Sequence, residues 1–200
     1  MANKKQLIPM SLQMIEDNLV YDGLFENERI FDEMINYFGC HFVNCDFSQI
    51  RYPKINLVDC TFTNCNFNNS DLSEVYLKRC VFKSCQGAGM ILENNCLEQL
   101  SFEECMLNYL TASKIKAKKL RFNNCALCDS LFNEASLNGT MFKACNLADA
   151  SFVHCMMENA EIATSEIPRI KITFDCLKGL KVSEGQALAM VGLLGMKIVS

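Results

Sequence analysis

The residues best equipped for chemistry in this 200-residue chain are thirteen cysteines and two histidines. Thiols can hold a soft metal, close disulfides, or serve as a nucleophile beside a base. Their spacing decides among these. Ten of them, Cys40, Cys45, Cys60, Cys65, Cys80, Cys85, Cys105, Cys125, Cys145 and Cys155, sit at multiples of five; Cys96, Cys128 and Cys176 do not. Structural zinc needs four ligands converging on a tetrahedron, and thiols repeated at a fixed step along a line do not converge. A disulfide scaffold is expected of short exported chains with paired cysteines. Here the count is odd, and the start, MANKKQLIPMSLQ, lacks the apolar core of an export signal. Thiols on adjacent repeats are close enough to bridge, but the expected location is the cytoplasm, which is reducing. His41 and His154 are remote from each other, and both fall at polar places in the pattern. A Cys–His nucleophile is therefore not expected. The reading is buried thiols used as small apolar side chains, with no catalytic, cofactor or metal site, and the chain is not expected to be an enzyme.

The step of five belongs to the whole chain. From 120 the sequence cuts into LRFNN, CALCD, SLFNE, ASLNG, TMFKA, CNLAD, ASFVH and CMMEN. The third place is apolar throughout and the first is mostly small or sulfur-bearing. Helices require apolar spacings of three and four, and flat strands a spacing of two. A period of five suits a backbone that turns a corner once per block and points two side chains inward. The register runs without insertion from Cys40 to about Ile172. Of the 25 third-place residues from Phe42 to Ile162, nineteen are Phe or Leu.

A period of twenty lies over the first. Phe recurs at 42, 62, 82, 102, 122 and 142, and Cys at 45, 65, 85, 105, 125 and 145. Four blocks then make one square coil, and like residues stack on like, as in a solenoid whose repeats touch only their neighbours. Two places interrupt the ladder. Gly87 takes a core position and is expected to leave a gap or bend the backbone, and Ala112 and Ala117 thin the core beside Lys114, Lys116, Lys118, Lys119 and Arg121. Residues 10–19 read as a short helix. SEGQALAMVGLLG, 183–195, reads as another, with Ser183 and Gln186 spaced for a capping box and MKIV as a short strand after it.

Blocks such as CNLAD, SDLSE and ADASF resemble the A(D/N)LXX consensus of the pentapeptide-repeat family over about residues 36–176. The resemblance implies an all-β fold, a right-handed quadrilateral β-helix, here with an irregular N-terminal cap (1–35) and a C-terminal capping helix (177–200). The apolar helical tail resembles that of the Qnr-type quinolone-resistance members and their mycobacterial relative MfpA. These imply a homodimer made by the apolar tail, with Ala187, Met190, Val191 and Leu194 on one helical face. They also imply a protein partner, DNA gyrase or topoisomerase IV, protected from quinolone-like inhibitors by a rod that imitates DNA.

Charge gives that implication its candidate residues. The net charge is -4, which argues against direct nucleic-acid binding. Between 122 and 168 six acids, Asp129, Glu134, Asp149, Glu158, Glu161 and Glu166, face one base, Lys143, a balance of -5. An acidic rod can occupy a groove built for DNA phosphates. Over 40–175 the balance is only -2, from 15 acids and 13 bases. The alternative reading is a structural or protein-interaction scaffold with an unrelated partner. No apolar run approaches the roughly 18 residues that span a membrane.

Overall fold

The structure is a computed structural model that describes residues 7–11, 18–30, 34–52 and 54–193. Its organising contact is the pairing of each coil with the next. One parallel sheet stacks eight short strands in chain order: Ile8–Pro9, Gly23–Glu26, His41–Val43, Thr61–Thr63, Val81–Lys83, Ser101–Glu103, Arg121–Asn123 and Met141–Lys143. A second stacks Leu19–Tyr21, Asn36–Phe38, Asn56–Val58, Tyr76–Lys78, Cys96–Glu98 and Lys116–Lys118. The register is twenty residues per coil, with Phe42 beside Phe62 and Phe102 beside Phe122.

Four faces result. The first is centred on Phe42 and its partners, the second on Phe47, the third on Tyr52 and the fourth on Leu57. The first and fourth carry the two long sheets. On the second and third, paired residues alternate with turns, yet their backbones bond in the same way. The Phe47 amide donates to the Asn66 carbonyl at 2.7 Å and the Asn66 amide to the Cys45 carbonyl at 2.9 Å. Corners fall at the fifth place of the block. Asn44, Asn64, Lys119, Asp129 and Asp149 are among the residues held there at positive φ, between 54° and 59°. That conformation costs an L-residue roughly 1–2 kcal/mol. The rung-to-rung hydrogen bonds of each block, and the burial they permit, must offset it.

The interior is two ladders of side chains. Rings of Phe42, Phe62, Phe82, Phe102, Phe122 and Phe142 stack with centroids 4.7–5.1 Å apart, close to the ~4.8 Å strand spacing. The first-place residues have a second task that the sequence reading missed. The Cys65, Cys85, Cys105 and Cys125 thiols each donate to the carbonyl of a phenylalanine on the preceding coil, at 3.4–3.5 Å. Ser165 Oγ continues the column to the Phe142 carbonyl at 2.8 Å. A small side chain with a donor suits this position better than alanine, because buried carbonyls have a spare lone pair.

Three expectations change in detail. Gly87 leaves no gap: a Cβ there would meet Leu107 Cδ2 at 2.8 Å, so Leu107 has taken the room. The ladder starts before residue 36, because Leu19–Tyr21 and Gly23–Glu26 already pair in the two sheets, with 17 residues between coils instead of 20. The helix read at 10–19 lies mostly outside the described residues, and Leu19 is strand. The C-terminal helix is Glu184–Leu193. Its capping box is formed, with the Ser183 amide donating to Gln186 Oε1 at 2.9 Å and the Gln186 amide to Ser183 Oγ at 3.3 Å. Gln186 Nε2 also donates to the Ile162 and Ser165 carbonyls, at 2.9 and 2.7 Å. One side chain thus starts the helix and closes the last coil. Residues 194–200, including the strand read in MKIV, are outside the described set.

Phe102 is fully buried, so Phe102→Ala should cost ~3–5 kcal/mol in denaturant unfolding. Glu103→Ala, one place outward, should cost under about 1 kcal/mol; equal losses would contradict the inward and outward assignment. Gln186→Leu strands two buried carbonyls and should cost about 2–4 kcal/mol, and an unchanged midpoint would remove its capping role.

Candidate functional site

With the interior committed to packing, what remains is the outer surface and the thiols. The thirteen cysteines are free, and all ten on the ladder are buried. Cys176, off the five-residue register, is buried too; it accepts from the Cys155 amide at 3.1 Å and donates to the Phe152 carbonyl at 2.9 Å. Burial pushes the Cys155 thiol up to about 12. Within the long column Cys145 is pushed up by the neighbouring Cys125 thiol and by burial, and Cys85 by the thiols of both adjacent coils. Neighbouring thiols act in the opposite direction on Cys65 and Cys105, which shift down. Among the described residues no group of three or more His, Cys, Asp or Glu is placed to share a metal ion. The two histidines are apart, His154 lying 3.2 Å through Nδ1 from Asp175 Oδ2 on the next coil.

The surface charges obey the same ladder. Every ion pair among the described residues joins adjacent coils: Arg29–Asp46, Arg51–Asp71, Lys78–Glu98, Arg79–Asp59, Lys83–Glu103, His154–Asp175 and Arg169–Asp149. The Arg169 guanidinium grips both oxygens of Asp149 and holds its carboxyl below the usual carboxylate range.

Counting charges by face between 41 and 171 shows what the pairing leaves over. The first face balances Lys83, Arg121 and Lys143 against Glu103, Glu104 and Glu161. The third balances Arg51, Lys54, Lys114 and Lys171 against Asp71, Glu74, Glu93 and Glu134. The second has Asp46, Asp129, Asp149 and Glu166 against Arg169, a balance of 1 - 4 = -3. The fourth has Lys78, Arg79, Lys116, Lys118 and Lys119 against Asp59, Glu98 and Glu158, a balance of 5 - 3 = +2. Second and fourth are opposite sides of the square.

The six candidate acids therefore do not share one face. Asp129, Asp149 and Glu166 lie together on the second; Glu134 is on the third, Glu158 on the fourth and Glu161 on the first. Asp46 lies on the same face in the N-terminal half, where Arg29 on the preceding coil pairs with it. The tail candidates also divide. Met190 is buried against the last coil, Val191 is half-buried, Ala187 is exposed and Leu194 is outside the described residues. Leu188, absent from the sequence-based set, is 52% exposed.

A parallel coil of four five-residue sides, with Phe or Leu at the centre of nearly every side, decides the fold. The chain carries a pentapeptide-repeat β-helix. Residues 55–130 match the pentapeptide repeat region family. No curated protein sequence matches. Among solved structures, full-length QnrB1, a plasmid-mediated fluoroquinolone resistance protein, is 18% identical, with 89% of this chain and 99% of that one covered and a TM-score of 0.41. HetL, a pentapeptide repeat protein of heterocyst differentiation regulation from a Nostoc cyanobacterium, is 11% identical over 82% and 86%, at 0.38. Rfr23 from a Cyanothece cyanobacterium is 11% identical over 74% and 91%, at 0.35.

Cys96 is exposed and Cys128 half-buried, whereas the other eleven are buried. A thiol reagent such as DTNB should label Cys96 fast and Cys128 more slowly, and reach the rest only on unfolding. More than two fast thiols in the native protein would contradict the packed columns.

Proposed function

We propose that this pentapeptide-repeat β-helix acts in the cytoplasm without catalysis, as a rigid rod that binds a protein partner through its outward side chains. The observation that carries this reading is the division of charge across the rod. Acids and bases balance in number on two faces, leaving an acidic second face opposite a basic fourth. Interfaces of this kind gain specificity and association rate from complementary potential. A repeat that commits the inner places of every block to packing has only its outer places for recognition.

The partner we propose is a type II topoisomerase, DNA gyrase or topoisomerase IV, met as a DNA mimic and protected from quinolone-like inhibitors. The family resemblance of the repeats suggests this partner. The charge layout supports it in one respect: Lys116, Lys118 and Lys119 point away from the face that bears Asp129, Asp149 and Glu166, so the cations would not oppose entry into a cationic groove. Asp129 and Glu166 then carry more of the interaction than Asp149, whose charge Arg169 neutralises. A scaffold with an unrelated partner is the second reading. It is favoured by the scatter of Glu134, Glu158 and Glu161 over the other faces. The same proposal includes a homodimer through the exposed side of the helix Glu184–Leu193, where Ala187 and Leu188 are uncovered while Gln186 and Met190 face the coil.

Supercoiling by purified gyrase in the presence of ciprofloxacin should be restored by the protein. The combined change Asp129→Ala and Glu166→Ala should reduce that rescue at least tenfold. Absence of both rescue and inhibition would leave the scaffold reading. Leu188→Asp should convert a dimer to a monomer in sedimentation without loss of fold, and an unchanged profile would remove the helical dimer.

A further inference from the structure

The rule that charges pair between adjacent coils has one concentrated exception. Lys116, Lys119 and Arg121 are exposed, and the residues above and below them are neutral. Lys116 stands between Cys96 and Ser136, and Arg121 between Ser101 and Met141. Lys119 stands between Gln99 and Gly139 by the same twenty-residue register. Lys118 has Glu98 beside it, but Glu98 is held by Lys78 at 2.8 Å. Four cations within six residues are thus left with little internal neutralisation. They lie where the core is thinnest, around the half-buried Ala117.

The corner between the fourth and first faces is also concave there. Gln99, Leu100, Ser101, Lys119 and Arg121 line a groove of about 250 Å³. Nothing lies within 4 Å of where a Gly139 side chain would begin, so the coil above leaves Lys119 uncovered. Lys119 is itself held at φ 59°, which fixes the direction in which its side chain leaves the corner. The groove combines a forked guanidinium, an ammonium, an amide and a hydroxyl. Guanidinium and ammonium groups recognise tetrahedral oxyanions by charge-assisted hydrogen bonds. Glu103 beside the groove accepts from Ser101 Oγ at 3.3 Å and pairs with Lys83 at 3.5 Å.

We infer that this groove is a binding site for a phosphoryl group, with Lys119 and Arg121 as the charged ligands, Gln99 as a neutral donor, and Lys116 and Lys118 raising the local potential. The site does not depend on the identity of the partner proposed for the acidic face, because it lies on the other side of the rod. A dianion matches it better than a monoanion, given the surplus of cations.

The test is an NMR titration of the full chain with inorganic phosphate and with a phosphoserine peptide, at constant ionic strength set by chloride. Shifts should concentrate on residues 99–101 and 117–121. Affinity for the phosphoserine peptide should rise severalfold from pH 5 to pH 7.5, as its phosphoryl group passes its second pKa near 6. Lys119→Gln with Arg121→Gln should weaken binding at least tenfold. Lys143→Gln, an exposed cation two residues along from Met141, should change it less than twofold. All three positions are exposed, so the variants should keep the native spectrum elsewhere. Preference for the peptide identifies a phosphorylated protein as the source, and equal or better binding of free phosphate identifies a small anion; either supports the site. Shifts spread over all the lysines, or an equal loss in Lys143→Gln, would reduce the groove to diffuse charge screening and overturn the inference.

Discussion

Everything in this protein depends on the bond between one coil and the next. Amides and carbonyls on all four faces pair with adjacent coils, so a residue's nearest neighbours are twenty places away in sequence, not three or four. The backbone of a buried coil must find partners, and from Cys40 onward it finds them on coils of equal length. The strict period follows from that. An inserted residue would move an inward side chain outward, with the loss that attends any register slip in a sheet. The same constraint makes the ends the weak points, since a last coil has carbonyls and amides with no next coil. Gln186 addresses this at the C-terminal end with three polar contacts from one side chain.

Stacking like on like has consequences for chemistry as well as for stability. A column of phenylalanines packs well because rings offset at the coil spacing meet face to face. A column of thiols packs because most of them, Cys45 to Cys125, have a carbonyl on the preceding coil to donate to. A column of like charges would repel, and the ion pairs show how the chain avoids this, with acids and bases alternating along the columns. Function is then expected where alternation fails. It fails on the second face, toward acid, and on the fourth, toward base.

Much of this was legible in the sequence. Third-place Phe and Leu, and the twenty-residue recurrence of Phe42 and Cys45, specify the coil, its size and its inward residues, because burial is periodic and composition records it. The capping box of Ser183 and Gln186 was legible for the same local reason. Other features depend on neighbours twenty residues away and were not. Gly87 looked like a gap because the reach of Leu107 from the next coil was not visible. The donor role of the ladder thiols was hidden because cysteine reads simply as a small apolar residue. The six acids looked like one patch because they are close in sequence, whereas a solenoid distributes neighbours around its perimeter. Sorting them by position modulo twenty would have separated Glu134, Glu158 and Glu161 from Asp129, Asp149 and Glu166.

The claim on which the rest stands is that all four faces form one continuous hydrogen-bonded ladder, not two sheets joined by loops. Amide hydrogen exchange followed by NMR measures this residue by residue. The amides of Phe67, Leu72, Leu107 and Phe132, on the second and third faces, should be protected to within about tenfold of Phe62 and Leu77 on the sheet faces, because each donates to or lies within the same rung-to-rung network. Protection confined to the sheet faces, with exchange on the other two as fast as in open loops, would contradict the account.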